Sequence, residues 1–294
     1  MPEEVHNVNV KELMQRYSGT VVEQTPFHPA EHMLYFYQDP YYIGIPSSKL
    51  SDQERQLLKI VLREEIPPRF SRKSEFWFNV LVKGRPVENE SPKSKIRIIQ
   101  FEMADALSGS DLIEWRSALA AFFEKTVSFI YLSSRDGLVI EEEKLMEEEM
   151  LRAIANTLEN DFSVKTYFQI GLRYPLSPLI RKAYLEEGRL FRQHLSHKGA
   201  QEVTGVEHRF FSLLRPLVGE WAILGEIRSM IAKDKSWVLI IRAIWENQGN
   251  VSMAAKQLFM HRNTLQNRID KFFEMTGISL KRMDGLTIAY LSML

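Results

Sequence analysis

The spacing of apolar residues near the C-terminal end predicts two short helices that pack against each other. Ala254 and Leu258 lie four residues apart, as do Leu265 and Ile269, so each pair shares one face of a helix. Ala255 adds a second small side chain beside Ala254, and small side chains let a neighbouring helix approach closely. This pattern is typical of the crossing in a helix-turn-helix.

Polar residues at the start of this segment predict where the first helix begins. The side-chain oxygen of Asn250 or of Ser252 can accept hydrogen bonds from the free N–H groups of a first turn. Together with the apolar spacing, these caps predict a helix-turn-helix over residues 250–273, inside an all-α domain of residues 206–294. Phe259 occupies the turn, where many helix-turn-helix motifs carry glycine.

The second helix carries an unusual density of side chains that can recognise bases. Recognition helices use their N-terminal residues on base edges, where arginine pairs with guanine, and asparagine or glutamine with adenine. The residues predicted to contact bases are Arg262, Asn263, Gln266 and Asn267. Those predicted to contact phosphates are Ser252, Lys256, His261, Thr264, Arg268 and Lys271. A solvated face on an ordinary helical hairpin is the alternative interpretation.

Residues 1–66 alternate between helix and strand patterns and predict a small α/β unit. A short helix is predicted at Val8–Tyr17, and a hairpin at Leu34–Tyr37 and Tyr41–Ile45. A helical run follows over Leu50–Glu65, with Ser51 and Glu54 as a capping box and Pro67-Pro68 as its end.

Residues 74–195 predict a second α/β domain with a central sheet. The predicted strands are Phe76–Val82, Ile96–Phe101, Thr126–Leu132, Leu138–Glu141 and Ser163–Ile170. The predicted helices are Asp111–Phe123, Leu145–Glu159 and Leu176–Leu195. A hairpin turn is expected at Asp136-Gly137, and residues 196–205 are expected to be a linker. The fold class is therefore multidomain, with two α/β parts followed by an all-α part.

Charge supports a local DNA contact and argues against a general nucleic-acid coat. The 294 residues carry 38 basic and 38 acidic side chains. Residues 231–294 hold nine Lys or Arg and five Asp or Glu, a net charge of +4. The sequence has no cysteine, no signal-peptide pattern and no apolar stretch of the ~20 residues that span a bilayer, so we expect a cytoplasmic protein without a membrane partner.

The C-terminal segment resembles the helix-turn-helix of PucR/CdaR-type bacterial transcriptional regulators. The resemblance is carried by His261-Arg262-Asn263-Thr264-Leu265, preceded by Ala254-Ala255 and Leu258, and by Thr276–Leu280 with a final helix through Leu291. It implies a sequence-specific regulator that binds double-stranded DNA, as a homodimer or higher homo-oligomer on paired half-sites. The upstream regions would then sense a small-molecule effector or mediate oligomerisation.

In that family the middle position holds a degenerate GGDEF-like domain. The strand Lys165–Gly171 followed by the helix Leu176–Phe191 resembles its closing part. The metal- and nucleotide-binding signature is missing, and the comparable turn is Arg135-Asp136-Gly137. We therefore expect no catalytic residues, no cofactor, no metal and no enzyme activity. Two alternatives stay open: a Fis-like architectural DNA-binding protein, and a nucleotide-processing enzyme of the GGDEF type.

Three other patterns have both a functional and an ordinary interpretation. His28-Pro29-Ala30-Glu31-His32 matches an inverted zinc-peptidase pattern, although a chance match in a loop is favoured. The aromatic run of residues 35–42 is more typical of cross-strand packing than of a ligand pocket. Arg181, Lys182, Arg189 and Arg192 share one predicted helix and can attract an anionic effector, although Glu186 and Glu187 favour a mixed surface.

Overall fold

The chain folds into two compact units, Met1–Glu207 and His208–Leu294. The computed structural model describes residues 9–27, 30–38, 40–67, 71–87, 91–107, 109–143, 145–197 and 199–294. Mixed α/β structure in the first unit and helices in the second confirm the predicted fold class. The separation of residues 1–66 from 74–195 as two domains stays a prediction.

The first sheet of the N-terminal unit has four antiparallel strands in the order β1-β3-β2-β4. The elements in this part of the chain are α1 (Val10–Arg16), β1 (Val21–Glu23), β2 (Met33–Gln38), β3 (Tyr41–Pro46), a 3-10 turn (Ser47–Lys49), α2 (Asp52–Val61) and β4 (Arg63–Glu65). The predicted hairpin is confirmed as β2 and β3. Phe36, Ile43 and Ile45 are fully buried and form the centre of its core.

Helix α2 begins where its capping box predicts and ends earlier than predicted. The Ser51 hydroxyl accepts from the Glu54 amide at 3.3 Å, and the Glu54 carboxylate accepts from the Ser51 amide at 3.0 Å. The prediction that the helix runs to Glu65 is wrong, because residues 63–65 form β4 and pair with β2. This pairing joins segments far apart in sequence, which local helix preference cannot anticipate.

The second sheet has five strands in the order β6-β7-β5-β8-β9. Its strands are β5 (Ser91–Met103), β6 (Ser128–Tyr131), β7 (Asp136–Glu141), β8 (Thr166–Leu176) and β9 (Val203–Gly205). The associated helices are α3 (Arg72–Trp77), continued by a π-helical turn (Phe78–Val82), α4 (Gly109–Ala121), α5 (Glu148–Phe162) and α6 (Ile180–Leu195). All pairs are antiparallel except β8 with β9.

Both faces of this sheet are covered by helices. Trp115 of α4 and Leu158 of α5 pack with Phe101 and Phe168 on one face. On the other face, Ile180 of α6 packs with a second apolar cluster that includes Ile98. Because side chains alternate along a strand, β5 contributes odd positions to the first core and even positions to the second.

Three details of the structure around the second sheet differ from the sequence prediction. The predicted strand Phe76–Val82 is wrong: the segment is helical, and the Ser71 hydroxyl caps it by accepting from the Ser74 amide at 3.1 Å. The predicted linker 196–205 contains β9, whose pairing partner is β8. Asp136-Gly137 lies in β7, and the hairpin turn precedes it. Because a short apolar run fits a strand and a buried helix equally well, periodicity alone wrongly predicted a strand at Phe76–Val82.

The C-terminal unit is all helical. After α7 (Val206–Glu220), which crosses the boundary between the units, it contains α8 (Ala222–Ala232), α9 (Ser236–Glu246), α10 (Val251–Gln257), α11 (Arg262–Thr276) and α12 (Met283–Leu291). The core combines fully buried Ile241, Ala254, Leu265 and Phe272, with the Trp237 ring at 5.2 Å from that of Phe272. Burying the three large side chains among them stabilises this small unit by several kcal/mol, at about 1.5–3 kcal/mol for each.

Candidate nucleic-acid interface

Helices α10 and α11 form the predicted two-helix motif, and Asn250 caps the first of them. The Asn250 Oδ1 atom accepts hydrogen bonds from the Ser252 amide at 3.1 Å and from the Met253 amide at 3.2 Å. Ala254 and Ala255 are buried at the packing of α10 against its neighbours, as the small pair predicts. Caps of this kind contribute about 1 kcal/mol, so Asn250 fixes the start of the motif.

The turn between the helices accommodates Phe259 in a left-handed conformation. Its φ is 53°, and its side chain is 99% exposed. The Phe259 amide donates to the Lys256 carbonyl at 3.1 Å, and the Met260 amide donates to the Ala255 carbonyl at 2.8 Å. The turn therefore has the backbone shape that glycine favours without having glycine.

Replacing Phe259 by glycine is expected to stabilise the motif. Left-handed backbone costs a non-glycine residue about 1–2 kcal/mol, while glycine loses about 0.5–1 kcal/mol more chain entropy on folding. The exposed ring contributes no burial, so Phe259→Gly should raise the free energy of unfolding by up to about 1 kcal/mol. Urea unfolding of the full chain measures this. Phe273→Gly, at an exposed position inside α11, is the control and should be destabilising. A loss of stability in Phe259→Gly would contradict the expectation.

Helix α11 is capped by His261 at its N-terminal end and by Gly277 at its C-terminal end. The His261 Nδ1 atom accepts from the Asn263 amide at 3.2 Å, so this imidazole caps the helix. Gly277 ends the helix with a φ of 71°, a left-handed value that favours glycine. Leu265, Ile269 and Phe272 form the buried face, four and three residues apart. The opposite face is consequently free to meet a ligand.

The predicted base-contacting residues lie on the first turns of α11. Arg262, Asn263 and Asn267 are exposed, whereas Gln266 is half-buried with its Nε2 atom 3.4 Å from Asp270 Oδ1. With 100° between successive helix residues, Asn263 and Asn267 point away from the buried face. Arg262 and Gln266 lie to one side, between that outward direction and the buried face. These four side chains form what we call the amide face.

The predicted phosphate-contacting residues fall into two groups. Ser252 and Lys256 of α10, and Thr264 and Lys271 of α11, are exposed. Their contacts with phosphate stay predictions. His261 is also exposed, but its ring already accepts the hydrogen bond that starts α11.

Arg268 is placed differently from the other predicted phosphate contacts. Its Nη1 atom lies 3.2 Å from Asp234 Oδ2, and its guanidinium lies over the Trp237 ring at 5.6 Å. Asp234 also accepts from the Ser236 amide at 2.9 Å, and these contacts, first of all the one with Ser236, lower the pKa of Asp234. Sequence reasoning missed Asp234. Its position two residues before Ser236 is typical of a turn in which the carboxylate binds the backbone. This spacing is the signal that could have identified Asp234 from the sequence.

Acidic residues limit how far the amide face extends along α11. The Lys281 Nζ atom lies 2.7 Å from Asp270 Oδ1, and this ion pair lowers the pKa of the Asp270 carboxyl. Glu274 lies exposed one turn further on. Because carboxylates repel phosphates, the side of α11 suited to DNA is its N-terminal half, where the helix dipole also favours negative charge.

The structure also places the described residues of the other sequence patterns. Tyr37 and Tyr42 are cross-strand partners with ring centroids 4.7 Å apart, which agrees with packing. Glu187 is buried, which contradicts its assignment to a mixed surface. In the inverted zinc-peptidase pattern, His28 and Pro29 lie outside the described residues. His32 has a φ of 63°, which does not fit a helix. Within the described ranges, no three metal-ligating side chains cluster.

Comparisons with known proteins identify the same C-terminal segment. Residues 238–294 match a family described as the PucR C-terminal helix-turn-helix domain. The chain is 27% identical to "Uncharacterized protein YxkF" of Bacillus subtilis (strain 168) over 96% of this chain and 97% of that one. It is 26% identical to "Leucine-rich protein" of Streptococcus dysgalactiae subsp. equisimilis over 86% of this chain and 89% of that one.

A solved structure, the "Regulator of Polyketide Synthase Expression" from Bifidobacterium adolescentis, aligns over 75% of this chain and 90% of its own. The identity is 12% and the TM-score 0.36, which is too low to indicate a common fold. Among the described helices, none is both long and apolar enough to cross a membrane.

Proposed function

We propose, from the premise that residues 238–294 are a PucR C-terminal helix-turn-helix domain, that this DNA-binding transcriptional regulator recognises specific operator sequences. The observation that carries the proposal is the amide face on the first turns of α11, opposite a fully buried Leu265 and Ile269. The same turns carry the helix N-terminus, whose free N–H groups and dipole attract phosphate. This combination favours a DNA contact over an ordinary solvated surface.

In the proposed complex, α11 lies in the major groove with its N-terminal end deepest. Arg262 would donate two hydrogen bonds to guanine, and Asn263, Gln266 and Asn267 would pair with adenine edges. Residues of α10 would contact the phosphates beside the groove, with Lys256 supplying charge. Arg268 would act indirectly, since its ion pair with Asp234 ties α11 to the start of α9.

Selection of genomic fragments by the purified full chain tests this proposal. A sequence-specific regulator should enrich a small number of sites that share a motif. An architectural protein of the Fis type should instead enrich many sites through shape and backbone, with little difference between selected and random DNA. Equal affinity for both kinds of DNA would overturn the proposal of specific recognition.

We also propose that the protein binds as a homodimer on paired half-sites. Helix-turn-helix proteins place two recognition helices one turn of DNA apart, about 34–36 Å, so the operator should be a palindrome with that spacing. Light scattering of the free protein and of its complex with one selected site measures the stoichiometry. One chain per site, with no palindrome, would contradict dimeric binding.

Replacing Lys271 by alanine is expected to weaken binding to all DNA sequences alike. Lys271 is exposed in the C-terminal half of α11, beyond the amide face, and loss of its predicted phosphate contact should reduce the slope of log K against log salt by about 0.9. Titrations at several salt concentrations, with selected and random DNA, measure this slope. Asn267→Ala is the matched contrast, because loss of a base contact should lower specificity and leave the slope unchanged. A specificity change in Lys271→Ala would reverse its assignment.

We propose that the N-terminal unit is regulatory and not catalytic, with a degenerate GGDEF-like middle part. The segment that resembles that family forms strand β8 followed by helix α6. In the hairpin turn where the family's signature would lie, the Ser134 hydroxyl donates to buried Glu65 at 3.0 Å and its amide donates to the same carboxylate. Turnover of labelled GTP in the presence of Mg²⁺ would contradict this proposal. An effector would change DNA affinity only through different affinities for two states of the protein.

A further inference from the structure

We propose that a polar cavity inside the N-terminal unit binds a small organic anion, recognised through a carboxylate or phosphate group. The proposal rests on the proposed function only in taking this ligand as the effector. The cavity has a volume of about 310 Å³. It is lined by elements of both sheets and by α6: Tyr37 of β2, Arg63 of β4, Gln100 and Glu102 of β5, Arg135 just before β7, Asp136 to Leu138 of β7, and Tyr184, Gly188 and Arg192 of α6.

Three guanidinium groups and two carboxyl groups line this cavity. Arg63, Arg135 and Arg192 supply the positive charge, and Glu102 and Asp136 supply the negative charge. The two acids are directly opposed partners on β5 and β7, a pairing that is destabilising when both are charged and uncompensated. Burial is the main cause that raises the pKa of each carboxyl. With three guanidinium groups against two carboxyl groups, the charge of the lining is positive on balance.

The acids already have donors within the protein. Asp136 accepts from the Ser133 hydroxyl, and Glu102 Oε1 lies 3.4 Å from a terminal nitrogen of Arg135. The Nε atom of Arg135 donates to the Met103 carbonyl at 3.0 Å. These contacts assign Arg135 to the support of the acid pair and leave the other two arginines for a ligand.

Arg63 lines the cavity and is held in place by two contacts. Its Nε atom binds Glu65 Oε1 at 3.1 Å, and its guanidinium stacks over the Tyr37 ring at 4.5 Å. A fixed, planar guanidinium can donate two parallel hydrogen bonds to a carboxylate or phosphate with little loss of side-chain entropy. Glu65 is itself buried and bound by Ser134, so this arginine is anchored from behind.

Arg192 provides a second, more adaptable cation at the same cavity. It is exposed, and its guanidinium forms no hydrogen bond or ion pair with the side chains and backbone that the structure describes. Four residues earlier on α6, Gly188 leaves space beside it. A Cβ atom at Gly188 would lie 3.2 Å from Gln100 Oε1 and 3.6 Å from Arg192 Nη1. A larger side chain at position 188 would therefore fill the space between the cation and Gln100.

The size and lining restrict the ligand class. A volume of about 310 Å³ is at the lower end of the ~300–1,000 Å³ typical of ligand sites, which favours a small metabolite. Tyr184 and Gln100 add hydrogen-bonding groups beside the arginines, so the body of the ligand should also be polar. Helix α6 forms one wall and leads through β9 into α7, which connects to the helix-turn-helix unit. The chain therefore continues from the wall of the cavity into the DNA-binding part.

The test is binding of three probes to the full chain, measured by calorimetry without DNA: succinate, citrate and inorganic phosphate. We expect at least one to bind with a Kd of about 1 mM or tighter. Arg63→Met and Arg192→Met should each weaken that binding at least about tenfold, as expected for loss of a charge-assisted contact. A preference for the carboxylates or for phosphate decides which group is recognised.

Matched controls separate this cavity from general charge attraction. Arg189→Met removes an exposed arginine from the same helix outside the cavity, and should leave binding unchanged. Gly188→Leu keeps every charge and should abolish binding by filling the space; circular dichroism checks that it folds. No binding of any probe by the unmodified protein would overturn the inference, as would equal losses in Arg189→Met and Arg192→Met. Because these measurements omit DNA, their failure is distinct from failure of operator recognition.

Discussion

Replacing Ala255 with leucine is expected to lower the free energy of unfolding of residues 208–294 by about 3 kcal/mol. Ala255 is 2% exposed, and its neighbour Ala254 is fully buried where α10 packs in the core shared with Leu265 and Ile241. Three extra carbon atoms at this position cannot fit without separating α10 from the helices around it. Overpacking of well-packed cores costs about 1–3 kcal/mol, and the upper end applies where two helices are in close contact.

Urea unfolding combined with hydrogen exchange of the C-terminal amides measures this effect. The matched control is Ala232→Leu, at an exposed position of α8 in the same unit, which should change stability by less than about 0.5 kcal/mol. Exchange should become faster in α10 and α11 and stay unchanged in the N-terminal sheets. If Ala255→Leu were as stable as Ala232→Leu, the close packing of α10 would be wrong, and with it the geometry that aims α11.

The double substitution Arg262→Ala/Asn263→Ala is expected to abolish preference for the selected operator. Both side chains are exposed on the first turn of α11, and each base contact is worth about 1–3 kcal/mol. Losing two such contacts should therefore reduce operator affinity by at least about 30-fold. Affinity for random DNA should fall much less, because all six predicted phosphate-contacting residues are retained.

Competition binding between one selected site and random DNA measures this loss of preference. The control Arg152→Ala/Asn156→Ala removes the same residue types from the exposed side of α5, far along the chain from the helix-turn-helix. It should bind like the unmodified protein. Because alanine favours helix and neither replaced side chain is buried, the variant should fold normally. Retained preference in the Arg262→Ala/Asn263→Ala protein would refute recognition by the amide face.

Most of the DNA-binding motif could be predicted from sequence, because the signals that specify it are local. Asn250 caps a turn two and three residues away, and Leu265 and Ile269 share a face through four-residue spacing. The two small side chains of Ala254 and Ala255 also correctly predicted the packing of α10 in the core. In the N-terminal unit, the β2–β3 hairpin and the capping box at Ser51 were equally local and were also predicted correctly.

Only the tertiary structure decided the features that join distant segments. Strands β4 and β9 are three residues each and exist because β2 and β8 offer pairing partners, while preference alone favoured a helix and a linker. Arg268 meets Asp234 across 34 positions, which no local spacing predicts, while its phosphate contact stays a prediction.

The anion-binding cavity depends on tertiary structure in the same way. Its walls range from Tyr37 to Arg192, and no spacing in the sequence relates Arg63 to Gly188. The sequence by itself determined the helix-turn-helix and the chemistry on its surface, since helix periodicity and capping act within a few residues. Which charged side chains face each other was decided only by folding, because strand pairing and helix packing set those distances through contacts that local sequence does not encode.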